Sequence, residues 1–382
     1  MLKPRILVVD DAVVVRRIVT TVLGDEPDLE VVGTAPNGRI ALQKIEQLNP
    51  DLVTLDVEMP VMDGLETLQA IRAAYPRLPV IMFSTLTERG AAVTMEALMH
   101  GANEYVTKPA NVGSVTEAMD RIREELVPKI QALTGLAPRP AARRHGAPHT
   151  PRPAAPRPVP TPGAARRGAV AVPTRRTART PELPVQAVVI GISTGGPNAL
   201  AELVPALPRD LGVPVLIVQH MPPMFTRLLA ERLDATSSLS VREAGHDEWV
   251  EPGYVLLAPG GHHLEVHRRG TRVYTAVTDG PLENSCRPAA DVLFRTAARA
   301  YGPGTLGVIM TGMGADGRRG TEHVREVGGH VLAQDEATSV VWGMPGAAVQ
   351  AGTVDLVLPL RQLAGEIMAR VQQVAQRPVA HR

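Results

Sequence analysis

Apolar residues in this chain come in short blocks at regular intervals. In the first third the blocks fall at residues 6–9, 29–33, 52–55, 80–83 and 104–106. Runs this short, bounded by Asp, Gly, Pro and Ser, predict buried strands rather than helices. Between them apolar positions recur at helical spacing, for example over 39–48 and 64–74. A longer amphipathic helix is expected from Val112 to about Leu133, kinked or broken at Pro128. Five such β/α repeats predict a doubly wound parallel sheet of five strands. The rhythm stops near residue 137 and resumes after Pro184. Strand-like runs then fall at 188–190, 215–218, 254–257, 306–310 and 354–358. They alternate with helical patterns near 198–207, 225–233, 289–301 and 317–327. Residues 263–266 and 273–277, joined through Arg268-Arg269-Gly270, predict a β-hairpin within this second, mostly parallel, doubly wound α/β domain.

Composition sharpens the break between the two patterns. Residues 137–184 contain twelve prolines, ten arginines and a single acid, Glu182, for a net charge of +9. With almost no large apolar side chains, this stretch cannot offset its ordering entropy and is expected to be an extended tether. The expected division is therefore a first domain over 1–127, a helix end and Pro/Arg/Ala-rich flexible linker over 128–184, and a second domain over 185–382. The whole chain carries +1, so the rest of it sums to −8, with −7 in residues 1–127. Neither folded part has the basic face that nucleic-acid binding needs, and no nucleic-acid partner is expected. Cys286 is the only cysteine, which excludes an intramolecular disulfide and fits a reducing compartment. With neither a signal-like segment nor an apolar stretch of spanning length, the expectation is a cytoplasmic protein without direct membrane insertion.

Polar residues cluster where the first five strands should end. Asp10 and Asp11 follow the first, Asp56 the third, Ser84 the fourth and Lys108 the fifth. The carboxyl ends of parallel strands share one crevice. There, carboxylate oxygens suit Mg²⁺, Asp56 can act as a carboxylate nucleophile, and Lys108 and Ser84 can meet phosphoryl oxygens. Helix capping would explain any one of these aspartates, but not the whole set. The pattern over residues 4–127 resembles response-regulator receiver domains, which are flavodoxin-like. The resemblance implies phosphorylation of Asp56 by a histidine kinase and Mg²⁺ held by Asp10, Asp11 and Asp56. It also implies switch roles for Ser84, Tyr105 and Lys108, and a cis peptide before Pro109.

A second set lies in the other domain. Ser193 occupies a Gly191-Ile192-Ser193-Thr194-Gly195 corner between a strand and a helix, His220 follows the 215–218 run, and Asp316 lies in a glycine-rich turn after 306–310. With parallel strands all three share one sheet edge, as a nucleophile, its base and the acid that orients the base. Thr194, Gly195 and Met313 are the backbone candidates for an oxyanion site. The order Ser, His, Asp departs from that of α/β-hydrolases. An anion-binding loop, a structural histidine and a capping aspartate are the respective alternatives. His262 and His263 should face opposite ways along a strand, which argues against a shared metal. Cys286 lacks a glycine-rich corner and is disfavoured as the nucleophile.

The wider strings Val218-Gln219-His220-Met221-Pro222-Pro223, Arg287-Pro288, Asp291-Val292-Leu293-Phe294 and Thr311-Gly312-Met313-Gly314-Ala315-Asp316-Gly317 resemble the CheB family of chemotaxis methylesterases over residues 186–372. Cys286 and Ala289 depart from that family, where His and Ser are common. The resemblance implies a phosphorylation-activated serine hydrolase of a two-component chemosensory pathway. It would demethylate glutamate methyl esters on chemoreceptors and deamidate glutamines. The triad would be Ser193, His220 and Asp316, with the Met313 N–H in the oxyanion hole and no cofactor at the esterase site. The implied partners are a chemosensory histidine kinase and methyl-accepting chemoreceptors, with recruitment to receptor arrays. Two rivals are a receiver-coupled DNA-binding regulator and a noncatalytic adaptor. The first is opposed by the β/α rhythm and by the 17 basic and 19 acidic residues from 185 onward.

Overall fold

The computed structural model describes residues 3–85, 87–108, 114–136 and 184–372. The expected cis peptide before Pro109, the helix start at Val112 and the tether over 137–183 lie outside the described residues.

The first domain contains β1 (Arg5–Val9), β2 (Glu30–Ala35), β3 (Leu52–Asp56), β4 (Val80–Ser84) and β5 (Glu104–Thr107), all parallel, in the order β2-β1-β3-β4-β5. Its helices are α1 (Val13–Gly24), α2 (Gly38–Leu48), α3 (Gly64–Ala74), α4 (Glu88–Met99) and α5 (Val115–Leu133). The central strands β3 and β4 are buried along their whole length, as strands covered by helices on both faces must be. Helix α5 differs from expectation. Within the described residues it begins at Val115, where the Ser114 hydroxyl accepts the Glu117 N–H at 3.2 Å. It then runs through Pro128 without a break. The proline deprives the carbonyl of Glu124 of its donor, and Glu124 is exposed, so water can replace that bond.

The second domain is built on seven parallel strands in the order β14-β13-β12-β6-β7-β9-β8. These are β6 (Ala187–Ile192), β7 (Val215–Gln219), β8 (Ser240–Glu243), β9 (Tyr254–Leu257), β12 (Thr305–Ile309), β13 (His330–Gln334) and β14 (Leu356–Leu358). Between β9 and β12 the expected hairpin forms from β10 (His263–Arg269) and β11 (Arg272–Thr278). Two strands escape the sequence pattern. β8 is a four-residue edge strand with one buried side chain, and β13 has only three consecutive apolar residues. Neither carries a long enough apolar run to stand out. The helices are α6 (Gly196–Leu203), α7 (Phe225–Thr236), α8 (Ala290–Tyr301), α9 (Arg318–Glu326), α10 (Gly343–Gln350) and α11 (Leu360–Gln372).

The domains pack against each other through α4, α6, α7 and the β5–α5 side of the first domain. The Tyr105 and Phe225 rings stack with centroids 4.6 Å apart. Asn198 donates to Ala102 O at 3.1 Å, and Arg227 meets Glu88 at 3.3 Å. A single apolar cluster includes residues of both domains. No helix among the described residues is long and apolar enough to cross a membrane.

Candidate functional site

In each sheet the strand order reverses beside the first strand of the domain, and each set of chemical residues lies at that reversal. In the first domain the reversal falls between β1 and β3. Asp10 and Asp56 are each only 2% exposed, while Asp11 is exposed. One carboxylate oxygen from each of Asp10, Asp11 and Asp56 lies within 4.8 Å of the others. The Lys108 ammonium bridges two of them, at 2.9 Å from Asp10 Oδ2 and 2.7 Å from Asp56 Oδ1. The buried Asp56 Oδ2 has no hydrogen-bond partner among the described residues. Such an all-oxygen cluster with an uncompensated buried oxygen has the donor chemistry of a Mg²⁺ site.

Burial pushes the Asp56 carboxyl up from 3.8 to about 6; the Lys108 contact opposes this and the Asp10 charge adds to it. Burial likewise raises Asp10. For Lys108, burial favours the neutral amine, but Asp56 and Asp10 outweigh it and its pKa rises. Ser84 is buried, with its hydroxyl 3.1 Å from Gly90 O and 3.2 Å from Thr85 O, directed toward α4. Tyr105 is buried against Phe225, and Lys129 donates to its carbonyl at 2.5 Å. A separate aspartate, Asp63, forms a capping box with Glu66 at the start of α3.

In the second domain the reversal falls between β6 and β12, with β7 on the other side of β6. Ser193, His220 and the Thr311–Asp316 turn come directly after these three adjacent strands. The Ser193 N–H donates to Thr311 O at 2.9 Å, the His220 N–H to Ile192 O at 3.3 Å, and the Gln219 amide to Ser193 O at 3.0 Å. The corner requires glycine on both sides. Gly195 has φ +76°, and a Cβ on Gly312 would lie 2.9 Å from Ser193 Cβ. The main-chain N–H groups of Thr194, Gly195 and Met313 donate to no protein acceptor among the described residues. They remain available to an anion.

His220 Nε2 lies 2.8 Å from Asp316 Oδ2. Asp316 is 3% exposed and also accepts the Ala290 and Asp291 N–H groups at 2.6 and 3.1 Å and the Asn284 amide at 2.7 Å. Burial alone would raise its pKa, but His220 and these donors hold it below the ordinary carboxylate value. For His220 burial favours the neutral ring; Asp316 and Cys286 outweigh it and raise the imidazole to about 9. The Ser193 hydroxyl makes no hydrogen bond among the described residues. The group beside His220 Nδ1 is instead the Cys286 thiol, 3.8 Å away. The missing glycine corner gave no hint of that proximity.

His262 and His263 do diverge. His262 meets Asp279 at 2.6 Å, while His263 is buried and its Nε2 lies 2.9 Å from Pro281 O. Sequence reasoning passed over Asn284, whose side chain joins Asp316 to Asp291. The only available signal was the turn-prone Asn284-Ser285 pair. A cavity of about 380 Å³ separates this edge from the first domain. Tyr105, Glu125 and Lys129 line one wall and His220, Cys286 and Arg287 the other.

Residues 6–120 match the response regulator receiver domain and residues 188–367 the CheB methylesterase domain. A Nocardioides protein named protein-glutamate methylesterase/protein-glutamine glutaminase is 51% identical over 374 residues, covering 98% of this chain and 96% of its own. A Trichodesmium erythraeum protein of the same name is 47% identical over 371 residues, covering 97% and 100%. The crystal structure of the Thermotoga maritima CheB methylesterase catalytic domain is 42% identical, spans 49% of this chain and 98% of its own, and superposes with a TM-score of 0.48. From its first strand to its last helix, the chain belongs to the CheB family of protein-glutamate methylesterase/protein-glutamine glutaminases, with a receiver domain ahead of the methylesterase domain.

Proposed function

We propose that the second domain hydrolyses glutamyl methyl esters on chemoreceptors, and deamidates their glutamines, under control of phosphorylation at Asp56. The observation that carries the reading is the buried Asp316–His220 pair beside the Ser193 corner, with three unspent N–H groups around it. With Nε2–H donated to Asp316, Nδ1 of the neutral imidazole holds the lone pair that receives the Ser193 proton. The serine oxygen then bonds to the ester carbonyl carbon. The charge that develops on the carbonyl oxygen is met by the N–H groups of Thr194, Gly195 and Met313. His220 returns the proton to the leaving methoxide, and methanol departs. Water, deprotonated by His220, hydrolyses the acyl-serine to free glutamate. With a glutamine substrate the leaving group is ammonia. Every step is proton transfer and acyl transfer, so this site requires no cofactor.

At the receiver site Asp56 is the phosphoacceptor for a chemosensory histidine kinase, and its unpartnered Oδ2 is the oxygen that bonds phosphorus. Asp10, Asp11 and Asp56 would hold Mg²⁺, which supplies compensation for phosphoryl charge. Lys108 and Ser84 take up phosphoryl oxygens once the Ser84 hydroxyl turns from Gly90. Tyr105 reports that turn to the interface, because its ring lies on Phe225 of α7. In this arrangement the receiver stands across the cavity from His220 and restricts a helical receptor substrate. The division into receiver (1–127), helix end and linker (128–184) and catalytic domain (185–382) belongs to the same reading. So does residence in the cytoplasm at receptor arrays. A serine-directed phosphonate tests the site. It is expected to label Ser193 and to stop methanol release from methylated receptor membranes. Labelling elsewhere with Ser193 untouched would overturn the assignment.

A further inference from the structure

The carboxylate that orients His220 does not hold its position unaided. Asp316 Oδ2 accepts from His220 Nε2 at 2.8 Å and from the Ala290 N–H at 2.6 Å. Its Oδ1 accepts from the Asp291 N–H at 3.1 Å and from Asn284 Nδ2 at 2.7 Å. The same Asn284 nitrogen lies 2.8 Å from Asp291 Oδ2, and Asp291 Oδ1 accepts the Gly320 N–H at 2.6 Å. One primary amide, with two N–H bonds, thus serves two carboxylates. Both are buried, at 3% and 1% exposure, whereas Asn284 itself is exposed.

We propose that Asn284 is a positioning residue for the hydrolysis: its amide clamps Asp316 so that Oδ2 stays aimed at His220, and separates Asp316 from Asp291. The inference rests on the triad proposed for Ser193, His220 and Asp316.

The local backbone is shaped for this task. Asn284 and Ser285 have φ of 53° and 63°. Glu283 and Cys286 exchange both main-chain hydrogen bonds, at 3.1 and 2.9 Å. That is a two-residue hairpin turn of the primed kind, in which Asn is one of the few side chains tolerated at positive φ. Glu283 anchors the turn to α8 through a two-pronged contact with Arg295, at 2.9 and 3.0 Å. The helix that carries Asp291 and the turn that carries Asn284 are therefore tied together, and Cys286 leaves the same turn toward His220. Electrostatics gives the amide a reason to be there. Two neighbouring buried carboxylates raise each other's pKa. Burial, with the charge of Asp316 as a smaller contribution, does raise Asp291. A neutral donor with a proton for each anion offsets that repulsion without adding a charge.

Two substitutions separate the amide from the turn. Asn284→Gly keeps a residue suited to positive φ and removes only the amide. Asn284→Asp keeps the shape but sets a third carboxylate beside the other two. Loss of a hydrogen bond to a charged group corresponds to roughly 10- to 100-fold in rate. We expect kcat for methanol release to fall by about that factor in Asn284→Gly, with KM within about twofold, and to fall further in Asn284→Asp. In an Asp316→Asn background, single-turnover release should be insensitive to Asn284→Gly, because a group acting through Asp316 has nothing left to position. An unchanged kcat in either variant, or the same loss in the Asp316→Asn background, would overturn the inference. Ser193→Ala, measured alongside, separates the two readings. If it stays active, the triad reading fails and takes this one with it. If it is inactive while Asn284→Gly is unaffected, only the role of Asn284 fails.

Discussion

The two domains place a buried aspartate at the same topological point, the strand-order reversal of a parallel sheet, and treat it in opposite ways. Asp56 has one cation, a neighbouring carboxylate and one oxygen without a donor, and burial carries its pKa to about 6. Asp316 is as deeply buried but receives four hydrogen bonds, and its pKa falls. Position in the fold therefore does not set the chemistry of a carboxylate; the number of donors aimed at it does. An under-solvated carboxylate retains nucleophilicity and a place for an incoming group. A saturated one, like Asp316 with its four donors, has no oxygen left for an incoming group.

Substitutions at the two aspartates probe this contrast. The largest effect belongs to Asp316→Asn. It changes the tautomer that His220 must adopt, and kcat for methanol release should fall roughly 10⁴-fold while the fold survives. A loss below tenfold would mean that Asp316 is not the orienting group. Next in size is the stability of the receiver. The folded pKa of Asp56 lies above its ordinary 3.8, so folding disfavours the ionised form, and that penalty develops as pH rises from about 4 through 6. Asp56→Asn should raise stability by about 1 kcal/mol at pH 8, after allowing for the partner Lys108 loses. The gain should vanish below pH 4. Thermal melts across that range check it, and a gain that grows toward low pH would have the wrong sign.

A smaller effect is expected at Cys286. Its thiol contributes to the raised pKa of His220, and general-base catalysis needs the neutral ring. Cys286→Ala should therefore move the acid limb of the kcat/KM profile to lower pH and preserve turnover. An unmoved limb would remove Cys286 from the site's electrostatics. The smallest effect is at Ser285, a non-glycine residue at φ 63°. Ser285→Gly should stabilise the turn by about 0.5 kcal/mol in denaturant titration, because relief of left-handed strain slightly exceeds the added chain entropy.

Much of this was legible in the sequence, for an identifiable physical reason. Strands buried on both faces write themselves as apolar runs, and the residues just after each run share one edge of the sheet. That is how Asp10, Asp56, Lys108, Ser193, His220 and Asp316 could be grouped from the sequence alone. The features that escaped lack such a signature. β8 and β13 are too short or too sparsely apolar. Pro128 breaks no helix, because the carbonyl it orphans belongs to the exposed Glu124, where water can replace the lost donor. Asn284 and Cys286 reach the second site from a turn outside the sheet, and only the fold of residues 279–291 brings them to Asp316 and His220. The stacking of Tyr105 on Phe225 joins residues 120 positions apart on different domains, a distance no local pattern spans.

If the two aspartates are coupled, the under-solvated carboxylate governs access to the saturated one. The direct test is methanol release from methylated chemoreceptor membranes by the full chain, with and without a small-molecule phosphodonor and Mg²⁺. The expected result is a faster rate with the phosphodonor for the wild type and none of that increase for Asp56→Asn. Equal rates in the wild type under both conditions would refute the coupling.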